Sequence, residues 1–156
     1  AKSSDWVLTS PIVYPDGGSE PVADEATCQL GYGWGNNGSL IGCVPCPPGQ
    51  YGRGGSFPCF PCAKGAFQAS SAQNSCTLAA VGHVVPYSGS LHQIPCAPGS
   101  FVAAVGQVVC QSCGMGRATN RPGSKACDRC PQGKFTASVG ARSCENCPAG
   151  MTTRLS

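Results

Sequence analysis

The sequence predicts a small disulfide-rich fold: an elongated tandem array of short β-hairpin repeats of about 17 residues, with little helix. Three observations carry this expectation. Thirteen cysteines in 156 residues mark a disulfide scaffold, the solution used where each module is too small to bury much apolar surface. Twenty-two glycines and 14 prolines interrupt regular structure throughout the chain and argue against one large hydrophobic core. The cysteines also recur at a fixed step, which is the signature of a repeat architecture.

The repeat is read from the second cysteine of each CxxC. It gives CPPGQYGRGGSFPC (46–59), CAKGAFQASSAQNSC (62–76), CAPGSFVAAVGQVVC (96–110), CGMGRATNRPGSKAC (113–127) and CPQGKFTASVGARSC (130–144). The template is C-x2-G-x-[FY], usually a midway glycine, then a closing cysteine. Tyr51, Phe67, Phe101 and Phe135 hold the aromatic position, and Ala118 replaces it in one unit. Upstream, CQLGYGWGNNGSLIGC (28–43) keeps the glycine as Gly31 and shifts the aromatics to Tyr32 and Trp34; downstream, CPAGMTTRLS opens a further unit at Cys147.

One stretch, CTLAAVGHVVPYSGSLHQIPC (76–96), breaks the cysteine pattern but not the period. Ala79 falls where an opening cysteine belongs, Gly82 on the template glycine, Val84 on the aromatic, Gly89 on the midway glycine and Gln93 on the closing cysteine. The gap is therefore a repeat without its cysteines, and units start at 28, 46, 62, 79, 96, 113, 130 and 147. This unit also bears on connectivity, which spacing alone does not supply. Its two missing cysteines are the ends of one unit, as expected if those ends bond to each other. The predicted pairs are Cys28–Cys43, Cys46–Cys59, Cys62–Cys76, Cys96–Cys110, Cys113–Cys127 and Cys130–Cys144, with Cys147 paired beyond Ser156. Each bridge closes a loop worth roughly 3 kcal/mol in the chain-entropy model.

Within a unit, the Pro and Gly of CPPG, CAPG and CPQG suit a tight turn, the following residues a short strand, and the midway glycine a hairpin reversal. The aromatic is expected to lie over the disulfide as a miniature core, with neighbouring units stacked into a rod. In unit 79 packing has to replace the bridge, so a local bend or a contact surface formed by Val84, Val85, Tyr87 and Leu91 is expected there. Residues 1–27 form an extended segment or cap, in which Trp6, Val7, Leu8, Ile12, Val13 and Tyr14 cover the first repeat or add a strand to a neighbour.

The chemistry that could compete for these residues is weak. CVPC…CFPC and CQSC…CDRC have zinc-site spacing, but Cys127 and Cys130 would serve Cys144 and Cys147 equally well, and one CxxC cannot belong to two tetrahedral sites. As redox motifs the same pairs lack a surrounding βαβ pattern. His83 and His92 have no obvious carboxylate neighbour, and no nucleophile elbow, paired acids or phosphate loop occurs. The chain is read as non-enzymatic, with no cofactor and no metal. Charged residues make up 11% of it, against about 25% in a typical soluble protein, and no basic stripe suggests nucleic acid. Asn37-Gly38-Ser39 is a sequon for N-glycosylation at Asn37. No apolar run reaches the ~20 residues of a membrane helix, and AKSSDWVLTS lacks the features of a signal peptide, so an export signal or anchor is expected outside this chain.

The motif C-x2-C-P-x-G-x-[FY]…C-x2-C-P-x-G resembles the cysteine-rich repeats of ephrin-type receptors, and each bridged loop is similar to the first half-module of tumour necrosis factor receptor repeats. The resemblance covers about residues 28–156, most strongly 43–76 and 96–150. In the tumour necrosis factor receptor family the corresponding cysteines are bonded, which agrees with the pairing above. Similar tandem arrays are typical of large algal and protist surface proteins, including flagellar surface filaments. The resemblance implies an extracellular or cell-surface location, including the flagellar or ciliary surface, and a structural or assembly role in a filament, coat or large ectodomain. The implied partners are proteins, either neighbouring copies or other chains, with glycans as a further possibility. A receptor ectodomain binding a protein ligand through repeat loops is the competing reading.

Overall fold

A computed structural model describes residues 27–36 and 41–151. The N-terminal segment up to residue 26, the Asn37 sequon and residues 152–156 lie outside them. Among the described residues there is no helix; the strands pair two by two into antiparallel hairpins, one per unit. They are β1 (Tyr32–Asn36) with β2 (Ile41–Pro45), β3 (Gln50–Tyr51) with β4 (Phe60–Pro61), and β5 (Ala66–Phe67) with β6 (Thr77–Leu78). Next come β7 (His83–Val84) with β8 (Ile94–Pro95) and β9 (Ser100–Phe101) with β10 (Gln111–Ser112). The last are β11 (Arg117–Ala118) with β12 (Asp128–Arg129) and β13 (Lys134–Phe135) with β14 (Glu145–Asn146). The architecture is the ladder of small disulfide-linked hairpins that the period implies.

Each hairpin begins with a turn that the sequence specifies directly. In CAPGSF the Ser100 N–H donates to the Ala97 carbonyl at 3.0 Å, with Pro98 second and Gly99 third at φ 87°. Proline followed by a residue at positive φ is the requirement of a type II turn. The two residues after the glycine then pair with the two residues inside the next CxxC, for example Val84 with Ile94 and His83 with Pro95. Pro61 and Pro95 are tolerated in these strands because the residue after each, Cys62 or Cys96, supplies the N–H that bonds the Gly49 or Gly82 carbonyl at 2.8 Å. The partner strand is thus the CxxC interior. The midway glycine does not reverse a tight hairpin, as the sequence suggested; it lies in the long loop between the strands.

That loop binds the neighbouring units. From unit 28 to unit 113, the template glycine donates its N–H to a carbonyl of the next unit, as in Gly49 to Gln68, Gly65 to Val85, Gly82 to Val102 and Gly99 to Thr119, at 2.7–2.8 Å. The residue two past the first strand's start donates a second bond in the same direction, Val85 N–H to the Gln107 carbonyl at 3.0 Å and Val102 N–H to the Ser124 carbonyl at 3.1 Å. The midway glycine N–H closes a third, Gly89 to Cys62, Gly106 to Ala79, Gly123 to Cys96 and Gly140 to Cys113, at 2.7–2.8 Å. These bonds carry the ladder along the chain and satisfy backbone groups that would otherwise be stranded in the stack.

Contacts extend one unit further. A Cβ added to Gly49, Gly65, Gly82 or Gly99 would strike the carbonyl of Gly89, Gly106, Gly123 or Gly140 respectively, two units on. The template glycine therefore answers two demands: positive φ in its own turn and close approach of a distant loop. Where the midway position is Ala72, the residue still takes a positive φ of 56°.

The core is a spine, and it does not consist of the aromatics. Cys46, Cys62, Cys96 and Cys113 are fully buried, and so are Ala79 and Val85; Val102 is 3% exposed. Tyr51, Phe67, Phe101 and Phe135 are only half-buried. The residue after the aromatic position is buried in most units, as Gly52, Val85 and Val102 are, while Gln68 is half-buried. Toward the C-terminal end this inward position is Thr119 and then Thr136, both buried. Their hydroxyls are satisfied: Thr119 Oγ1 meets Ser124 Oγ at 2.7 Å, and Thr136 Oγ1 accepts the Gly116 N–H at 2.8 Å.

Candidate interaction surface

Six disulfides join Cys28 to Cys43, Cys46 to Cys59, Cys62 to Cys76, Cys96 to Cys110, Cys113 to Cys127 and Cys130 to Cys144. Their Cα–Cα distances of 5.3–5.7 Å are ordinary for such bridges. The two cysteines of a CxxC enter different bridges, except that in the last one only Cys144 is bridged, so no CxxC offers a thiolate pair to a metal. Among the described residues no group of His, Cys, Asp and Glu could hold an ion. Cys147 is half-buried and carries no bridge among them. His83 starts β7, with Nδ1 3.2 Å from the Val81 carbonyl, while His92 is exposed in the loop before β8.

Unit 79 closes without a bridge. Ala79 sits in the buried place of the opening cysteine, and Gln93, in the place of the closing one, turns its Oε1 back to accept the Ala80 N–H at 2.7 Å. A hydrogen bond spans the loop that sulfur spans elsewhere. The Ser90 hydroxyl donates to the Tyr87 carbonyl at 2.7 Å and fixes the loop between. Val84 packs with Val102 and the Cys96–Cys110 bridge of the following unit. The bonds to both neighbours are the same as in bridged units, so the ladder continues through this unit without a break in its pattern.

This corrects the surface expected here. Val84 and Val85 are 7% and 0% exposed and belong to the spine: Val85 holds the place that Val102 holds in the following bridged unit, and Val84 packs against Val102 and the Cys96–Cys110 bridge. Tyr87, at 72%, and Leu91, at 44%, do face solvent, and Ile94 and Leu78 in the adjoining strands are exposed with them. Replacing Gln93 by Leu is expected to cost about 1 kcal/mol, the net worth of one hydrogen bond. Ala79→Cys together with Gln93→Cys should form a seventh bridge and raise stability by ~2–3 kcal/mol. Guanidinium unfolding of the two variants beside the parent chain measures both effects.

A second surface cluster went unread in the sequence. Arg53 stacks its guanidinium 5.9 Å from the Tyr51 ring and 5.5 Å from the Phe60 ring. Phe60 lies 5.9 Å from Tyr51 and 6.4 Å from Phe57, and Phe57 is 58% exposed. Cation–π attraction draws Arg53 to the rings, and exposed Arg53 and Phe57 beside half-buried Tyr51 and Phe60 are of the residue types enriched at protein interfaces. The signal available was FPCFPC beside a lone arginine; what was hidden is that the CxxC interior forms the strand facing Tyr51.

A family model described as tyrosine-protein kinase ephrin type A/B receptor-like matches residues 49–93 and 121–156, more than half of the chain. The chain belongs to this family. The first matched segment of the ephrin-receptor-like repeat runs through the bridged units 46 and 62 and takes in unit 79 as far as Gln93. Residues 94–120 lie outside the match, yet their hairpins and inter-unit bonds follow the same scheme. Ephrin-receptor-like membership marks the chain as an extracellular-type cysteine-rich module that is not enzymatic in itself. Comparison with curated proteins finds no significant match. No helix among the described residues is long and apolar enough to cross a membrane.

Proposed function

We propose that the chain is a structural and assembly element of an extracellular filament, coat or large ectodomain, including those of the flagellar or ciliary surface. The observation that supports this most is the backbone ladder, in which units 28 to 113 are each bonded to the next and units 28 to 96 also touch the one after. Such a chain is stiff by construction, because bending it requires breaking several hydrogen bonds at once. The partners are neighbouring copies or other chains of the assembly, and the exposed Tyr87 and Leu91 are offered as contact residues between rods. A glycan on Asn37 and an onward partner for Cys147 belong to the same reading.

The Arg53 cluster favours a second role, that of an ectodomain binding a protein ligand. Low-resolution imaging of the native assembly separates the two. Regular contacts repeated along many parallel rods are the expected result. An isolated particle, with a soluble ligand whose binding is abolished by Arg53→Ala, would instead establish the receptor role.

A further inference from the structure

The net charge of +3 conceals a segregation along the chain. Residues 1–26 carry Asp5, Asp16, Glu20, Asp24 and Glu25 against Lys2 alone. Residues 27–112 hold only Arg53 and Lys64 and no acid, whereas Arg117, Arg121, Lys125, Arg129, Lys134 and Arg142 face only Asp128 and Glu145 in residues 113–151.

The structure orders part of the basic block. Arg117 and Arg129 are direct cross-strand partners in β11 and β12, and both are exposed. The Arg117 guanidinium donates to the Cys127 carbonyl at 3.0 Å, which anchors it on the hairpin. Lys134, also exposed, starts β13 at the place Arg117 holds in β11, and the Gly116 N–H bonded to Thr136 Oγ1 at 2.8 Å sets the two hairpins side by side. Like charges directly opposite each other weaken a hairpin. In a chain so sparing of charge, a local rule broken at one place points to a use for that place.

We propose that the row Arg117, Arg129 and Lys134 docks the acidic segment 16–25, DGGSEPVADE, of a second copy, so that rods associate head to tail. The inference rests on the assembly role above and names its contact. The occupant follows from complementarity: the same chain supplies four carboxylates within this Gly- and Pro-containing stretch and a cation row at its other end. Opposite charges of this kind set register and orientation between partners, and at exposed sites salt weakens them.

Sedimentation velocity of the full chain over a concentration series tests the docking. Self-association is expected at about 0.05 M NaCl, weakened roughly tenfold at about 0.3 M. Arg129→Glu with Lys134→Glu should abolish it, and so should Asp24→Lys with Glu25→Lys, while an equimolar mixture of the two variants restores it. Disulfide mapping of each variant confirms that the hairpins are intact. A monomeric parent chain at low salt, variants that associate normally, or a mixture without rescue would each overturn the proposal. So would tight binding of a sulfated oligosaccharide to the cation row without self-association, which makes a polyanionic glycan the occupant. Regular arrays in native images, alongside charge variants that associate normally, would leave the assembly role standing and remove only this contact.

Discussion

Gly82→Ala is expected to destabilise the ladder by roughly 4 kcal/mol, whereas Gly89→Ala, at a midway position, costs only about 1–2 kcal/mol. Both glycines have positive φ, 79° and 70°, and both substitutions bear the penalty of an L-residue in that region. They differ in what stands opposite. A Cβ on Gly82 meets the Gly123 carbonyl, and one on Gly89 meets nothing closer than the Pro61 Cβ at 3.9 Å. Gly123 cannot simply retreat, because its N–H is bonded to the Cys96 carbonyl at 2.8 Å. Relief would cost that bond and loosen the Gly82 to Val102 bond, at about 1 kcal/mol each. Denaturant unfolding of the two variants measures the difference; equal losses would mean that packing between units two apart contributes nothing.

The second large effect comes from reduction. Six bridges at ~3 kcal/mol each together exceed the roughly 5–15 kcal/mol by which an ordinary domain is stable. The spine cannot compensate, since six of its twelve buried apolar residues, among those described, are bridge cysteines. Dithiothreitol without denaturant is therefore expected to unfold the whole array. Loss of slowly exchanging amides and an expanded hydrodynamic radius are the readouts, and a reduced chain that kept its native radius would show that the backbone ladder alone suffices. Unit 79 is consistent with partial compensation only: it replaces one bridge by the Gln93 hydrogen bond and the buried Ala79 while both neighbouring units stay covalently closed.

Much of this fold was legible because its period is written in chemistry that tolerates few substitutes. Ala79, Gly82, Gly89 and Gln93 kept the step through a stretch without cysteine, and the unit they define forms the expected hairpin. The relations between units were harder to read. A 17-residue period reports that units are alike, not which loop touches which, and a glycine needed in a turn looks the same as one needed for close approach. Hence the sequence alone assigns Gly89, Gly106, Gly123 and Gly140 only a local role. Val84 and Val85 illustrate a similar limit: an apolar run in a unit without sulfur fits either an exposed contact or a substitute spine. Only the three-dimensional place of Cys96 and Val102 decides between them. The charge segregation was open to inspection throughout, but a net value averages it away.

Local bridges shape each unit, and backbone bonds between units make them one body. Native-state hydrogen exchange at the amides of Gly89, Gly106, Gly123 and Gly140 tests this most directly, because each donates across units and none belongs to a strand. Protection equal to that of the hairpin amides of Cys62, Cys96 and Cys113 is the predicted result. Exchange at these four glycines as fast as in an unstructured peptide, with all six bridges intact, would contradict it.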